Sequence, residues 1–145
     1  MSEIYINIGS NLGDSKALIG RACSMLARCL APAQLLLSGY VESEPWGFAS
    51  EHRFLNRGVL VFTDRDVDPL VLLDITQGIE SEIGRGASHR NPDGSYRDRA
   101  IDIDIIDIDN QRIDSLRLTL PHPHAAERDF VMGPWRELKL RTGNK

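Results

Sequence analysis

The chain has 145 residues, of which 41% are hydrophobic and 26% are charged, and its formal net charge is −4. This composition excludes an intrinsically disordered protein, and the length is enough to bury a core without disulfides or a structural metal. The negative charge argues against a general nucleic-acid binder, because such a protein needs a positive field to collect phosphates.

In the first half of the chain, the apolar spacing predicts three strands and one helix. The alternating isoleucines of residues 4–8 predict the first strand, and residues 16–31 carry helical spacing after Asp14, a good N-cap. The second and third strands are predicted over residues 35–41 and 54–63.

The second half of the chain completes the order of elements. Asp68 followed by Pro69 predicts the start of a second helix, which ends before Gly84, and a fourth strand is predicted over residues 101–106. The order strand, helix, strand, strand, helix, strand is that of the split βαβ arrangement. We therefore expect one α+β domain over residues 1–145, with a ferredoxin-like antiparallel sheet and two helices packed on one face.

Beyond the fourth strand, the sequence predicts only short elements. Asp109-Asn110 predicts a turn, residues 116–120 an extended piece, and residues 123–129 a brief helix. Residues 131–140 finish the chain without an assigned structure.

Neither a leader nor a membrane segment is visible in the sequence. The first residues run directly into a strand-like pattern, without a basic segment followed by an apolar one. No apolar stretch approaches the length of a membrane span. We therefore expect a cytoplasmic protein that does not contact a membrane.

The sharpest chemical feature is the run Ile101-Asp102-Ile103-Asp104-Ile105. Alternate side chains of a strand share a face, so the two carboxylates are predicted to project together while the isoleucines pack on the core. Paired carboxylates repel unless a cation or proton lies between them, and magnesium favours oxygen ligands. The pattern is typical of half a magnesium site, although a surface strand with a polar face also shows it. Asp107 and Asp109 have the opposite parity, so they face away or lie past a bend.

Arginines precede this acidic strand, in a segment from 84 to 99 whose one aliphatic side chain is Ala87. They are Arg85, Arg90, Arg97 and Arg99. Guanidinium groups beside a metal-binding carboxylate pair can bind a polyphosphate, and phosphoryl transfer depends mainly on such positioning and charge stabilisation. A solvated loop is the alternative interpretation.

A second cationic group is predicted at Pro121-His122-Pro123-His124 and Arg128. His124 and Arg128 are four residues apart, a spacing that can place two side chains on one helix face. These side chains either contact phosphate or decorate the start of a helix, and the pattern alone leaves both open.

Aromatic side chains and one amide are candidates for a pocket that reads the edge of a heterocycle. They are Trp46, Phe54, Asn56 and Phe130. Each aromatic residue is equally compatible with a place in the core.

Five motifs occur in an order that resembles the 6-hydroxymethyl-7,8-dihydropterin pyrophosphokinase family of the folate pathway, over about residues 4–135. The motifs are Ile8-Gly9-Ser10-Asn11-Leu12-Gly13-Asp14, Glu42-Ser43-Glu44-Pro45-Trp46-Gly47, Phe54-Leu55-Asn56, Arg99-Ala100-Ile101-Asp102-Ile103-Asp104-Ile105, and Leu120-Pro121-His122 with Arg128-Asp129-Phe130.

The resemblance implies a ferredoxin-like fold and a monomeric enzyme whose partners are small molecules. ATP is its co-substrate, and the hydroxyl of the pterin attacks the β-phosphorus so that AMP leaves. Two magnesium ions would lie on Asp102 and Asp104. One would coordinate α- and β-phosphate oxygens, and the other would bridge β and γ oxygens and the attacking hydroxyl.

The resemblance also assigns roles to individual side chains. Those with a catalytic role are Asp102, Asp104, Arg85 and Arg99. Those that bind ATP are Arg85, Tyr96, Arg99, His122 and Arg128, with Tyr96 as an aromatic lid. Those on the pterin side are Ser43, Phe54, Asn56, Phe130 and Asn11, and Glu80 matches a buried acidic position near the site.

Two departures from the family pattern fall in the arginine-rich segment. The second arginine of Gly-Arg-x-Arg is absent from Gly84-Arg85-Gly86-Ala87, so Arg90 or Arg97 would replace it. The usual Trp-Gly-Pro-Arg reads Tyr96-Arg97-Asp98-Arg99. A non-catalytic nucleotide- or pterin-binding module with an altered loop is therefore the alternative, while an RNA-binding domain is disfavoured by the acidic charge.

Overall fold

A four-stranded antiparallel sheet with strand order β2-β3-β1-β4 is the centre of the molecule. The structure is a computed structural model that describes residues 2–44, 53–84 and 100–142. Its elements are β1 (Ser2–Ser10), α1 (Ser15–Leu30), β2 (Ala33–Ser43), β3 (Phe54–Thr63), α2 (Pro69–Ile83), β4 (Asp102–Ile108), β5 (Ile113–Asp114), β6 (Thr119–Leu120), a 3-10 turn (Ala125–Glu127) and α3 (Asp129–Arg141). This order and pairing confirm the predicted ferredoxin-like α+β fold.

The two crossover helices begin at the capping residues that the sequence predicts. The Asp14 carboxylate accepts a hydrogen bond from the N–H of Ala17, and the Asp68 carboxylate accepts from Leu70 at 2.9 Å. Such caps satisfy N–H groups that have no partner inside the helix and contribute about 0.5–2 kcal/mol each. Gly84 ends α2, as predicted.

The main core lies between one face of the sheet and the helices α1 and α2. Alternation on β1 directs Ile4, Ile6 and Ile8 into this core, where each is fully buried. Among the described residues, no helix is both long and apolar enough to cross a membrane.

The opposite face of the sheet is covered by a third helix, which the sequence analysis left unassigned. The predicted helix over 123–129 is a 3-10 turn, and α3 follows it and packs against β2 and β3. Its buried side chains are Val131, Pro134 and Leu138, and of these Val131 and Leu138 form a second core with residues such as Tyr5. Pro134 lies inside the helix and removes one backbone hydrogen bond, so packing against the sheet has to stabilise the helix.

A β-bulge in β4 separates its two ends. Tyr5 pairs with Asp107 but Ile6 pairs with Ile105, so Ile106 is an extra residue without a partner on β1. Of the two positions that the sequence left open for Asp107, the bulge shows that this residue lies past a bend in the strand. Its carboxylate accepts the N–H of Asn110 in the turn after the strand, and burial raises the pKa of this carboxyl.

Candidate functional site

The paired aspartates lie on β4, an edge strand, and face the same side of the sheet as α3. Asp102 is opposite Gly9 of β1, and Asp104 is opposite Asn7. Both carboxylates are partly exposed, whereas the isoleucines that flank them are buried in the main core. The alternation predicted for this run is therefore present, and two carboxylate groups project together from one short strand.

Glu80 of α2 holds the backbone between the two aspartates. Its Oε2 accepts the N–H of Ile103 at 2.8 Å. An edge strand presents backbone groups that no neighbouring strand can pair, and the Glu80 carboxylate satisfies one of them. The acidic position noted in the sequence is thus half-buried, and it fixes the strand that carries Asp102 and Asp104.

Arg128 brings a cation to the acidic pair. Its Nη1 lies 4.0 Å from Oδ2 of Asp104, and its side chain is only 11% exposed, against 24% for the side chain of Asp104. Arg128 directly precedes α3, so the packing of that helix places the guanidinium. A guanidinium beside a carboxylate pair can bind an anion that reaches the site together with a cation.

His122 corrects the prediction of a second cationic group. Its Nδ1 accepts the backbone N–H of His124 at 3.2 Å, so the proton of the neutral ring is on Nε2. Burial, assisted by the positive charge of Arg128 and by His124, lowers the pKa of His122 to about 4. At neutral pH, His122 is therefore a neutral hydrogen-bond donor.

His124 does not share a helix face with Arg128, in contrast to the prediction. The 3-10 turn ends at Glu127, and Arg128 is already in an extended conformation. Nδ1 of His124 lies 3.5 Å from a carboxylate oxygen of Glu127 instead.

The low pKa of His122 leads to a pH-dependent stability. The unfolded chain takes up a proton near pH 6.5 and the folded protein only near pH 4, so this contribution to stability is complete above pH 6.5 and is lost as the pH falls towards 4. His122→Asn keeps an acceptor for the N–H of His124. We expect it to reduce the slope of the free energy of unfolding against pH by an amount that corresponds to at most one proton. Urea unfolding at several pH values between 4 and 7 gives the free energy of unfolding as a function of pH. The same pH dependence in the wild type and in His122→Asn would contradict the prediction.

An amide and an aromatic ring lie closely over Gly9. Both amide hydrogens of Asn56 are engaged, because its Nδ2 donates to Ser43 Oγ at 2.8 Å and to the carbonyl oxygen of Val41 at 3.1 Å. Its Oδ1 faces Gly9, since a Cβ built there would lie 2.9 Å from this oxygen and 3.4 Å from the ring of Phe54. The lack of a side chain at Gly9 therefore allows Asn56 and Phe54 to lie close against the backbone of β1, with the Asn56 carboxamide held in a fixed orientation.

The sheet places this position next to the acidic pair. Gly9 pairs with Asn56 of β3 on one side and with Asp102 of β4 on the other, so the three residues form one row across the sheet. Directly paired residues of an antiparallel sheet share a face. The amide and the carboxylate therefore lie on the same face of the sheet, on either side of Gly9.

Of the remaining predicted site residues, two lie in the described part of the chain. Asn11 is buried just after β1, and Phe130 lies in the first turn of α3, where the carbon of the Arg128 guanidinium is 5.9 Å from its ring centre. The other predicted residues lie outside the described part of the chain: Trp46, Arg85, Arg90, Tyr96, Arg97 and Arg99.

One residue of this face was missed by the sequence analysis. Asn7 is buried opposite Asp104. The signal was present, because the alternation of residues 4–8 places Tyr5 and Asn7 on the face opposite to the isoleucines.

The donors on this face suit a hard cation with open positions. Within residues 2–44, 53–84 and 100–142, no group of three or more His, Cys, Asp or Glu side chains could hold a metal ion. The site offers the two carboxylates of Asp102 and Asp104, both partly exposed. Magnesium binds in this way, through one or two carboxylates, with water and substrate phosphates as its other ligands.

Comparisons with known proteins point to a single family. The sequence profile described as 7,8-dihydro-6-hydroxymethylpterin-pyrophosphokinase (HPPK) matches residues 5–140. A Porphyromonas gingivalis protein is 40% identical over 99% of both chains. A Bacillus subtilis protein is 34% identical over 92% of this chain and 76% of its own, and one from Pseudomonas aeruginosa is 34% identical over 95% and 81%. All three are named 2-amino-4-hydroxy-6-hydroxymethyldihydropteridine pyrophosphokinase.

Proposed function

The chain belongs to the 7,8-dihydro-6-hydroxymethylpterin-pyrophosphokinase family, and we propose that Asp102 and Asp104 hold the two magnesium ions of its reaction. The enzyme transfers pyrophosphate from ATP to the hydroxymethyl group of 6-hydroxymethyl-7,8-dihydropterin and releases AMP, a step of folate biosynthesis. The observation that carries the proposal is the placement of both carboxylates on one face of β4, opposite Gly9 and Asn7 of β1.

The two carboxylates fit magnesium because they supply oxygen ligands and leave room for water and phosphate. Bound magnesium would neutralise the triphosphate and lower the pKa of the attacking hydroxyl. The protein supplies the rigid support: Glu80 fixes the backbone at Ile103, and the isoleucines anchor β4 in the core. Such support keeps both carboxylates in place before the substrates bind.

We assign the phosphate-binding role to groups of two kinds. Arg128 is a largely buried cation beside Asp104, and a neutral His122 would donate a hydrogen bond from Nε2. Arg85, Tyr96 and Arg99 complete the proposed ATP site on the strength of the motifs that they match. An arginine stabilises the negative charge that develops on the transferred phosphoryl group. A neutral histidine orients a phosphate oxygen through a hydrogen bond without adding a positive charge.

The pterin would lie on the face of the sheet that carries Asn56 and the acidic strand. Asn56 presents Oδ1 to the heterocycle, so it accepts a hydrogen bond from a pterin N–H, while Ser43 holds the amide nitrogen. β3 and β4 lie on either side of β1, two strand spacings or about 10 Å apart, a distance that suits a bicyclic ring that directs its hydroxymethyl arm towards Asp102. Phe54 and Phe130 would stack on the ring, and Asn11 would brace the adjoining loop.

We further propose that the enzyme works as a single-domain monomer over residues 1–145 in the cytoplasm. The described site residues come from strands of the sheet, from α2, and from the segment that leads into α3 of one chain, and this single chain brings them together.

The identity of the nucleotide that is formed from ATP tests the reaction. Incubation with ATP, magnesium and 6-hydroxymethyl-7,8-dihydropterin is expected to release AMP in proportion to the pterin consumed, and a label in the β-phosphate of ATP should appear in the pterin product. Omission of the pterin should stop the release of AMP. ADP as the sole nucleotide product would contradict the proposed transfer, and tight binding of both substrates without AMP would indicate a non-catalytic module.

A further inference from the structure

Asn7 occupies the next row of the sheet, beside the proposed cation site. It pairs with Asp104 of β4 on one side and with Gly58 of β3 on the other. Its side chain shares the α3-facing side of the sheet with Asp104, because directly opposite residues of an antiparallel pair face the same way. Only 3% of Asn7 is exposed.

The carboxamide oxygen of Asn7 is buried without a hydrogen-bond partner in the described part of the protein. A buried acceptor in this state destabilises the fold, so folded proteins rarely keep one without a use. The residues that flank Asn7 cannot supply a donor. Gly58 has no side chain and its N–H already donates to Ser38 Oγ at 2.8 Å, while an ionised Asp104 only accepts.

A ligand that binds beside Asp104 can bring the missing donor with it. A magnesium ion retains several of its waters when it binds through one or two carboxylates, and each of these waters is a donor. Groups that hydrogen-bond to the ligands of a metal commonly tune its affinity.

We propose that Asn7 is a positioning residue for the cation held by Asp104, whose coordinated water donates a hydrogen bond to Asn7 Oδ1. The inference rests on the proposed function only in that Asp104 holds a cation. The unpaired oxygen of Asn7 destabilises the free enzyme, and it makes a stabilising hydrogen bond in the complex with the cation. Stability and cation affinity should therefore respond in opposite directions to its removal.

Asn7→Leu tests this, because leucine has nearly the shape of asparagine and lacks the amide. The probe is Mn²⁺, titrated by calorimetry into protein saturated with α,β-methylene-ATP and without pterin. We expect the Mn²⁺ affinity to fall about 10- to 100-fold, while the midpoint of thermal unfolding of the free protein stays the same or rises. Asn7→Ser retains an oxygen and should lose less affinity, and it serves as the second variant if Asn7→Leu does not fold.

Thr76→Val is the matched control. It is also a buried polar-to-apolar change of similar shape, but Thr76 lies on α2, which packs on the opposite face of the sheet, so its Mn²⁺ affinity should equal that of the wild type. Asp104→Asn separates the two proposals, since loss of Mn²⁺ binding in that variant supports the cation site itself. An unchanged Mn²⁺ affinity in the Asn7 variants, or a lower unfolding midpoint with unchanged affinity, would overturn the role of Asn7.

Discussion

Replacement of either Asp102 or Asp104 by asparagine is expected to lower kcat/KM for pyrophosphoryl transfer by at least about 10³-fold, or about 4 kcal/mol of transition-state stabilisation. Each change keeps the shape of the side chain and removes one negative charge from a pair that faces the same side of β4. Cations on this face would lose a charged ligand, and the triphosphate would lose its neutralising partner. Initial rates of AMP release at saturating and limiting ATP measure the effect.

Asp107→Asn is the control for this experiment. Asp107 lies on the same strand beyond the bulge at Ile106, and its carboxylate accepts the N–H of Asn110, a role that an amide oxygen can fill. Since burial raises the pKa of Asp107, removal of its charge should leave the stability at neutral pH equal or higher. Turnover close to that of the wild type is expected. Equal losses in all three variants would show that charge on β4, and not the position of the pair, is what matters.

Gly58→Ala is expected to destabilise the protein by about 2–5 kcal/mol, because it forces α3 away from the sheet. A Cβ at Gly58 would overlap the hydroxyl of Tyr5 and lie 3.0 Å from Cβ of Pro134. The Tyr5 hydroxyl donates to the carbonyl of Val131 at 2.9 Å, and its ring stacks on Trp135 at 4.8 Å. The new methyl group would break this buried hydrogen bond or displace the helix.

Gly78→Ala is the matched control. Gly78 lies within α2, and a Cβ there would contact nothing within 4 Å. We expect this change to stabilise the protein by about 0.5–1 kcal/mol, because alanine favours helix more than glycine does. Urea unfolding gives both free energies, and KM for ATP should rise in Gly58→Ala alone, since α3 places Arg128. A Gly58→Ala protein as stable as the wild type would contradict the packing described for α3.

Local physical rules were enough to predict most of the fold. The bounds of β3 and the two helix caps follow from alternation and from side chains that bond to nearby N–H groups, so the sequence predicts them well. The extent of α3 did not follow in the same way. Its apolar positions are few and Pro134 interrupts them, and it becomes stable only against the sheet face around Tyr5.

The site was predictable to the degree that it depends on a single strand. The shared face of Asp102 and Asp104 follows from their spacing alone. The neutral state of His122, by contrast, depends on burial and on a charge supplied by Arg128, and neither is visible in the sequence. The contact of Glu80 with Ile103 and the pairing of Asn7 with Asp104 also depend on how distant segments meet.

Crystals grown with Mn²⁺ and α,β-methylene-ATP would locate the cations by anomalous scattering. Two anomalous peaks are expected, each about 2.1 Å from a carboxylate oxygen of Asp102 or Asp104 and on the side of the sheet that faces α3. Peaks at other side chains, or a nucleotide bound with both carboxylates directed away from it, would contradict the assignment of this acidic pair.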